Sequence, residues 1–204
     1  DWLAPRRLPL VKGRANFTPL SDPWGQYRRT ASHDARAAQG TKRTSSWRAN
    51  VRGPLRATAS SAGGRILIGS HDTGVLTALD AATGATLWRA VVPNWIHQDA
   101  VSDGAIVAVG FGDNERSRSG MAPSGVAVFG AGSGVLLWTA LEHGSVMTSP
   151  ILSGDEIVYA TSKGIVRRRD RLTGRLIESI RLEAGPVMGS PALSSNTVVM
   201  GVDG

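Results

Sequence analysis

The sequence contains no cysteine. That excludes disulfides, thiolate metal sites, cysteine nucleophiles and covalent c-type haem attachment, while leaving the compartment open. Long apolar runs are also missing, and none approaches the ~18 residues of a membrane-spanning helix. Aromatic residues make up 5% of the chain, six of them Trp. The four histidines, His33, His71, His97 and His143, form neither an HExxH nor an i,i+4 pair, so the usual helical metal-ligand spacing is absent. No serine sits in a nucleophile elbow, and the glycines fall in hairpins rather than in a phosphate-binding loop. A signal-peptide pattern is missing too. The chain starts at Asp1 without a Met, which points to a processed or trimmed product.

Acidic residues are scarce in one region only. Residues 1–56 carry 12 Lys and Arg against 3 Asp and Glu, whereas residues 57–204 carry 11 against 13. The net charge of +7 therefore belongs to the first quarter of the chain. Residues 1–46 read as a basic, irregular entry segment, with prolines and no sustained periodicity. Trp2, Leu8, Leu10, Phe17 and Trp24 are costly to leave in water, which favours a packed segment over a free tail. Arg6, Arg7, Lys12, Arg28, Arg29, Lys42 and Arg43 form a candidate basic surface. Such a run either lies solvated or docks on an anionic partner: lipid headgroups, nucleic acid or an acidic protein.

Glycine is abundant, at 25 residues, and its placement carries the architecture. RILIGSHDTGVLTALDAATGATLW, residues 65–88, reads as three short strands joined by two tight turns. Looser copies follow, and the turn glycines Gly84, Gly134 and Gly174 lie about 50 and about 40 residues apart, a spacing characteristic of propeller blades. Trp47, Trp88 and Trp138 recur at the end of a strand in each unit. A further strand recurs as PLRATAS, IHQDAVS, MTSPILS and GSPALSS. Each unit thus contains four strands of about four to seven residues. The units run roughly 55–90, 97–140 and 148–181, with a fourth begun at 187, so residues 47–204 form the repeat region. Strands apolar on both faces suit blades sandwiched between neighbours, and the recurrent Trp suits packing between them.

Three features depart from the repeat. FGDNERSRSGMAPSG, residues 111–125, replaces a four-residue turn. Its Asp113, Glu115, Arg116 and Arg118 form a candidate recognition loop, unless they are simply solvated. Arg167, Arg168 and Arg169 stand where strand alternation sends side chains to both faces. They are either paired, with Asp170 or Glu178 as the carboxylate, or part of an interaction surface. His97, Gln98 and Asp99 begin a strand where small residues are usual. None of these sets forms a coherent catalytic or metal-ligating constellation.

At LTALDAATGATLW the chain resembles the quinoprotein-type, PQQ-like repeat, through Ala78, Asp80, Thr83, Gly84 and Trp88. The second copy keeps Gly134 and Trp138 but has Gly130 for the Asp. The third keeps Asp170, Thr173 and Gly174 but has Glu178 for the Trp. The resemblance implies an all-β propeller built from four-stranded antiparallel blades. About three full blades and partial ones are expected, as an open arc or as a fragment of a seven- or eight-bladed ring. The end at VVMGVDG, inside an expected hairpin, favours a fragment. The repeat is similar to that of non-catalytic propeller scaffolds of the outer-membrane assembly lipoprotein type. This implies an extracytoplasmic protein, periplasmic or secreted, without cofactor, that engages a protein partner or the remaining blades. Contact with an anionic surface through residues 1–56 accords with that reading. The alternative is a fragment of a quinone-dependent alcohol or sugar dehydrogenase holding pyrroloquinoline quinone and calcium. Asp80 and Asp170 are expected to order their turns rather than to catalyse.

Overall fold

A computed structural model describes residues 46–113, 122–183, 185–194 and 197–202. Its elements are all strands. The first sheet holds β1 (Ser60–Ala62), β2 (Arg65–Gly69), β3 (Val75–Asp80) and β4 (Thr86–Val91). The second holds β5 (Val101–Ser102), β6 (Ile106–Phe111), β7 (Gly125–Gly130) and β8 (Leu136–Leu141). The third holds β9 (Ile151–Ser153), β10 (Glu156–Ala160), β11 (Ile165–Asp170) and β12 (Leu176–Arg181). In each sheet the strands lie side by side in chain order, every neighbouring pair antiparallel. A two-stranded sheet, β13 (Ala192–Ser194) and β14 (Thr197–Val199), begins the next unit. These are blades of a β-propeller: three complete, one partial, in an open arrangement. No helix among the described residues is long and apolar enough to cross a membrane.

The hydrophobic core lies in the seams between blades. Leu67, Leu76 and Trp88 of the first blade form one buried cluster with Val107, Val109, Phe111 and Phe129 of the second. Ile106, Val126 and Val128 of the second pack with Ile157 and Tyr159 of the third. Ile151, Val158 and Val166 of the third meet Leu193 and Val198 of the fourth. Middle strands are therefore buried on both faces, as along all six residues of β6, whereas the outer strand β4 alternates exposed and buried. That is why the middle strands read as continuous apolar runs.

A lock recurs where the segment at Trp47 meets the first blade and at the next two seams. The indole N–H of Trp47 donates to the Ala81 carbonyl at 3.0 Å, that of Trp88 to Ala131 at 2.9 Å, and that of Trp138 to Arg171 at 2.9 Å. Each ring lies on the turn glycine of the blade it reaches. A Cβ on Gly84, Gly134 or Gly174 would come under 3.0 Å from the indole, and all three glycines have φ near +70°. Backbone conformation and indole contact both demand glycine there.

The innermost strands are shorter than the sequence suggests, only two residues in β5 and three in β1, β9 and β13. Groups at their starts or just ahead of them bond to the neighbouring blade instead. Thr58 N–H donates to Asp99 Oδ1 at 2.8 Å, Ser60 Oγ to the Ala100 carbonyl at 2.6 Å, and Ser149 N–H to Ser190 Oγ at 3.0 Å. His97 accordingly lies in the connector between blades, ahead of β5, and does not begin a strand.

Candidate functional site

One rim of the first two blades is built from the 70–74 turn, the 92–100 connector and the backbone just after β6. A single backbone bond places them in register. His71 N–H donates to Pro54 O, Gly112 N–H to Trp95 O, and Ser162 N–H to Ser145 O, at 2.8, 3.0 and 2.8 Å. His71, Gly112 and Ser162 thus hold equivalent positions in successive blades, and only the first is an imidazole.

That imidazole is 1% exposed. Its ring centroid lies 4.6 Å from that of Trp95 and 4.5 Å from that of His97, which it meets edge to face. Trp95 and His97 are 5.8 Å apart. His71 Nδ1 bonds the Asp72 carboxylate. The Nε2 atoms of both rings are buried without a partner. Burial, followed by neighbouring His71, pushes the His97 pKa below its ordinary value; Arg56 lowers it further, against the Gly112 carbonyl and Asp113. Two residues on, burial pushes the Asp99 carboxyl up to about 6, although its bond from Thr58 N–H opposes this.

The entry to this rim is a strap without strand structure, residues 46–59. Arg48, Arg52 and Arg56 are exposed on it beside exposed Leu55, and none makes an ion pair with another described residue. No acid occurs between Asp34 and Asp72.

Arg167, Arg168 and Arg169 of the third blade are neutralised by carboxylates. Arg168 is 2% exposed, grips Glu156 through two 2.8 Å bonds and reaches Glu178 at 2.5 Å. Arg167 Nε donates to Glu142 at 3.0 Å. Arg169 donates to Glu142 at 3.2 Å, to the Tyr159 hydroxyl at 2.7 Å and to the Gly174 carbonyl at 2.9 Å. Glu142 follows the outer strand of the second blade, so this network clamps two blades together. Of the two carboxylates expected from the sequence, Glu178 serves. Asp170 is instead committed to its own turn, accepting from Thr173 N–H and Oγ1, both at 2.8 Å, and from Leu172 N–H at 3.1 Å. Asp80 does the same for Ala82 and Thr83.

Of the candidate loop, Asp113 is buried, 6% exposed, and acts electrostatically on His97 rather than standing out on a recognition surface. Glu115, Arg116 and Arg118 lie outside the described residues, as do Arg6, Arg7, Lys12, Arg28, Arg29, Lys42 and Arg43. The structure brings Trp47, Gly84, Trp88, Gly134, Trp138 and Gly174 together as seam locks, with Asp80 and Asp170 in two of the turns. Sequence reasoning missed the pairing of His71 with His97. Aligning the blades on their turns would have singled out His71, which stands where Gly112 and Ser162 do, but not its contact with His97.

Comparison with known proteins accords with this architecture. A family model described as outer membrane protein assembly factor BamB matches residues 32–201. No curated protein matches. Among solved structures, the chain is similar to BamB from Moraxella catarrhalis, with 21% identity and a TM-score of 0.60 over 74% of this chain and 44% of that one. It thus spans less than half the length of that relative. The computationally designed Ika4 protein superimposes with a TM-score of 0.63 and 20% identity over 76% of this chain and 88% of that one. A europium-containing methanol dehydrogenase gives 0.55 and 18% over 63% and 32%. By the family model, which takes in most of its residues, the chain belongs to the outer membrane protein assembly factor BamB family.

Proposed function

We propose that the chain is a non-catalytic propeller scaffold that engages an acidic segment of a protein partner through its basic strap, in extracytoplasmic envelope assembly. The observation that carries this reading is a contrast between two groups of arginines. Arg167, Arg168 and Arg169, the arginine run of the third blade, are consumed by Glu142, Glu156 and Glu178, whereas Arg48, Arg52 and Arg56 are exposed with no described carboxylate beside them. Exposed like charges held along one strap repel one another, and an acidic partner relieves that repulsion. Exposed Leu55 adds an apolar contact among them. Family membership supports a protein partner rather than nucleic acid or lipid.

The test is fluorescence anisotropy with a labelled Glu-rich peptide carrying one Leu, titrated with the chain. Binding should weaken by roughly tenfold or more in R48E/R52E/R56E and fall with rising salt. Equal binding by the variant would overturn the reading, as would preference for a DNA oligonucleotide or an anionic vesicle over the peptide. The fold likeness to a methanol dehydrogenase favours the second reading, a part of a quinone-dependent dehydrogenase. Dye-linked alcohol oxidation that depends on added pyrroloquinoline quinone and calcium would establish that reading instead.

A further inference from the structure

We propose that His71 and His97 form a proton-sensitive latch, which holds residues 53–58 of the strap on the rim while both rings are neutral and releases them as the pair takes up protons. The latch controls the strap invoked above, but it stands on the geometry of the chain alone. Three elements meet in it: the 70–74 turn, the 92–100 connector and the backbone at Gly112.

The hydrogen bonding leaves an added proton without an acceptor. His71 spends its Nδ1–H on Asp72, which leaves its Nε2 as a bare lone pair, and the Nε2 atoms of both rings are buried without a partner. An unfilled buried lone pair is tolerable, whereas a buried N–H with no acceptor is costly. Protonation converts the first into the second. It also places imidazolium beside imidazole at 4.5 Å between centroids, and a second proton would set two cations at that distance in a site of low dielectric.

The surrounding charges decide how far each proton is resisted. Asp72 bonds His71 directly but is half exposed, and Asp113 acts on His97 from the end of β6. Asp113 favours a proton on His97. Arg56, on the strap, opposes a charge on His97. Asp99 works in the other sense, because its carboxyl binds a proton more tightly when buried, so acid favours its closed position. The imidazole pair and Arg56 therefore drive release, against Asp99.

The strap is where that repulsion acts. His71 N–H holds the Pro54 carbonyl, Ser70 Oγ lies 3.4 Å from the same oxygen, and Arg56 follows two residues later. Cation build-up at His71 and His97 pushes directly on the segment that these bonds retain.

Hydrogen exchange of the free chain, followed by mass spectrometry, tests the latch without any partner. Peptides spanning 53–59 and 70–74 should exchange at least tenfold faster at about pH 5 than at about pH 7.5, after correction for the chemical rate, while those of β6 and β7 keep their protection. His97→Gln removes the titrating ring while keeping a polar side chain, and should abolish most of that difference. Asp99→Asn removes the opposing titration and should enlarge it. Unchanged protection in the wild type, or equal loss in His97→Gln, would overturn the latch. Should His97→Gln fail to fold, NMR titration of the wild-type ring protons decides: coupled steps for His71 and His97 support the latch, and independent ones refute it. If the latch stands while R48E/R52E/R56E still binds the acidic peptide, only the strap's assigned partner is wrong.

Discussion

The indole of Trp88 and the backbone of Gly134 define the seam between the first two blades. The ring of one lies where the other would carry a side chain, while its N–H bonds Ala131 in the same turn at 2.9 Å. Packing and hydrogen bonding are therefore two parts of one contact. A blade cannot shift along its neighbour without losing both.

Gly134→Ala should consequently destabilise the chain by about 2–4 kcal/mol, since the new methyl group meets the indole and the residue must keep positive φ. Trp88→Phe keeps most of the ring but strands the Ala131 carbonyl, and should cost about 1–3 kcal/mol. Urea melts followed by circular dichroism measure both. The two variants share one contact, so their combined cost should fall short of additive by about 0.5–3 kcal/mol.

Replacing Asp170 by Gly should be far milder than Gly134→Ala. Asp170 is a surface residue whose carboxyl is held below its usual range by hydrogen bonds from Thr173 and Leu172. The second blade shows what remains without it: Gly130 stands in that place, and Gly134 N–H still closes the turn on Gly130 O at 2.8 Å, as Gly174 does on Asp170 at 2.9 Å. A thermal melt of Asp170→Gly should shift by only a few degrees.

These contacts show why so much of the fold was legible. Turn glycines and strand-end Trp residues recur because the seam imposes them, and the middle strands are apolar because both faces are covered. The site was less legible. Glu142 and Glu156 become partners of Arg167, Arg168 and Arg169 only when strands distant in sequence are laid side by side. His71 and His97 sit in a turn and a connector, segments without periodicity, and meet only because the connector packs on the turn. Asp113 looked like part of a surface loop, but its place at the end of fully buried β6 carries it inside.

Arg168→Met should cost about 3–5 kcal/mol, because it leaves Glu156 buried opposite an apolar side chain. Changing Glu156→Gln as well removes the orphaned charge and should recover a large part of that loss, despite the lost bidentate bonds. Equilibrium urea unfolding of the single and double variants measures the difference. Equal stability of the two would mean that Glu156 escapes to water when its partner is gone. The comparison thus separates the cost of a stranded carboxylate from the net worth of the ion pair.

Asp99 sets the last expectation, through pH. Its folded pKa, about 6, lies above the ordinary value of 3.8. The native state therefore holds the proton more tightly than the unfolded chain does. Stability from this group is complete below about pH 4 and is lost as pH rises to about 6, beyond which the penalty is constant. With solvent relaxation around the carboxylate, that penalty is about 2 kcal/mol. Asp99→Asn keeps an acceptor for Thr58 N–H and removes the charge, so it should stabilise the chain by about that amount at pH 7.5 and by little at pH 4. His97 titrates with the opposite sign, since its lowered pKa makes the native state lose stability as pH falls. In the wild type the two groups therefore act in opposite senses as pH falls. Plotting melting temperature against pH for wild type and Asp99→Asn isolates the contribution of the carboxylate.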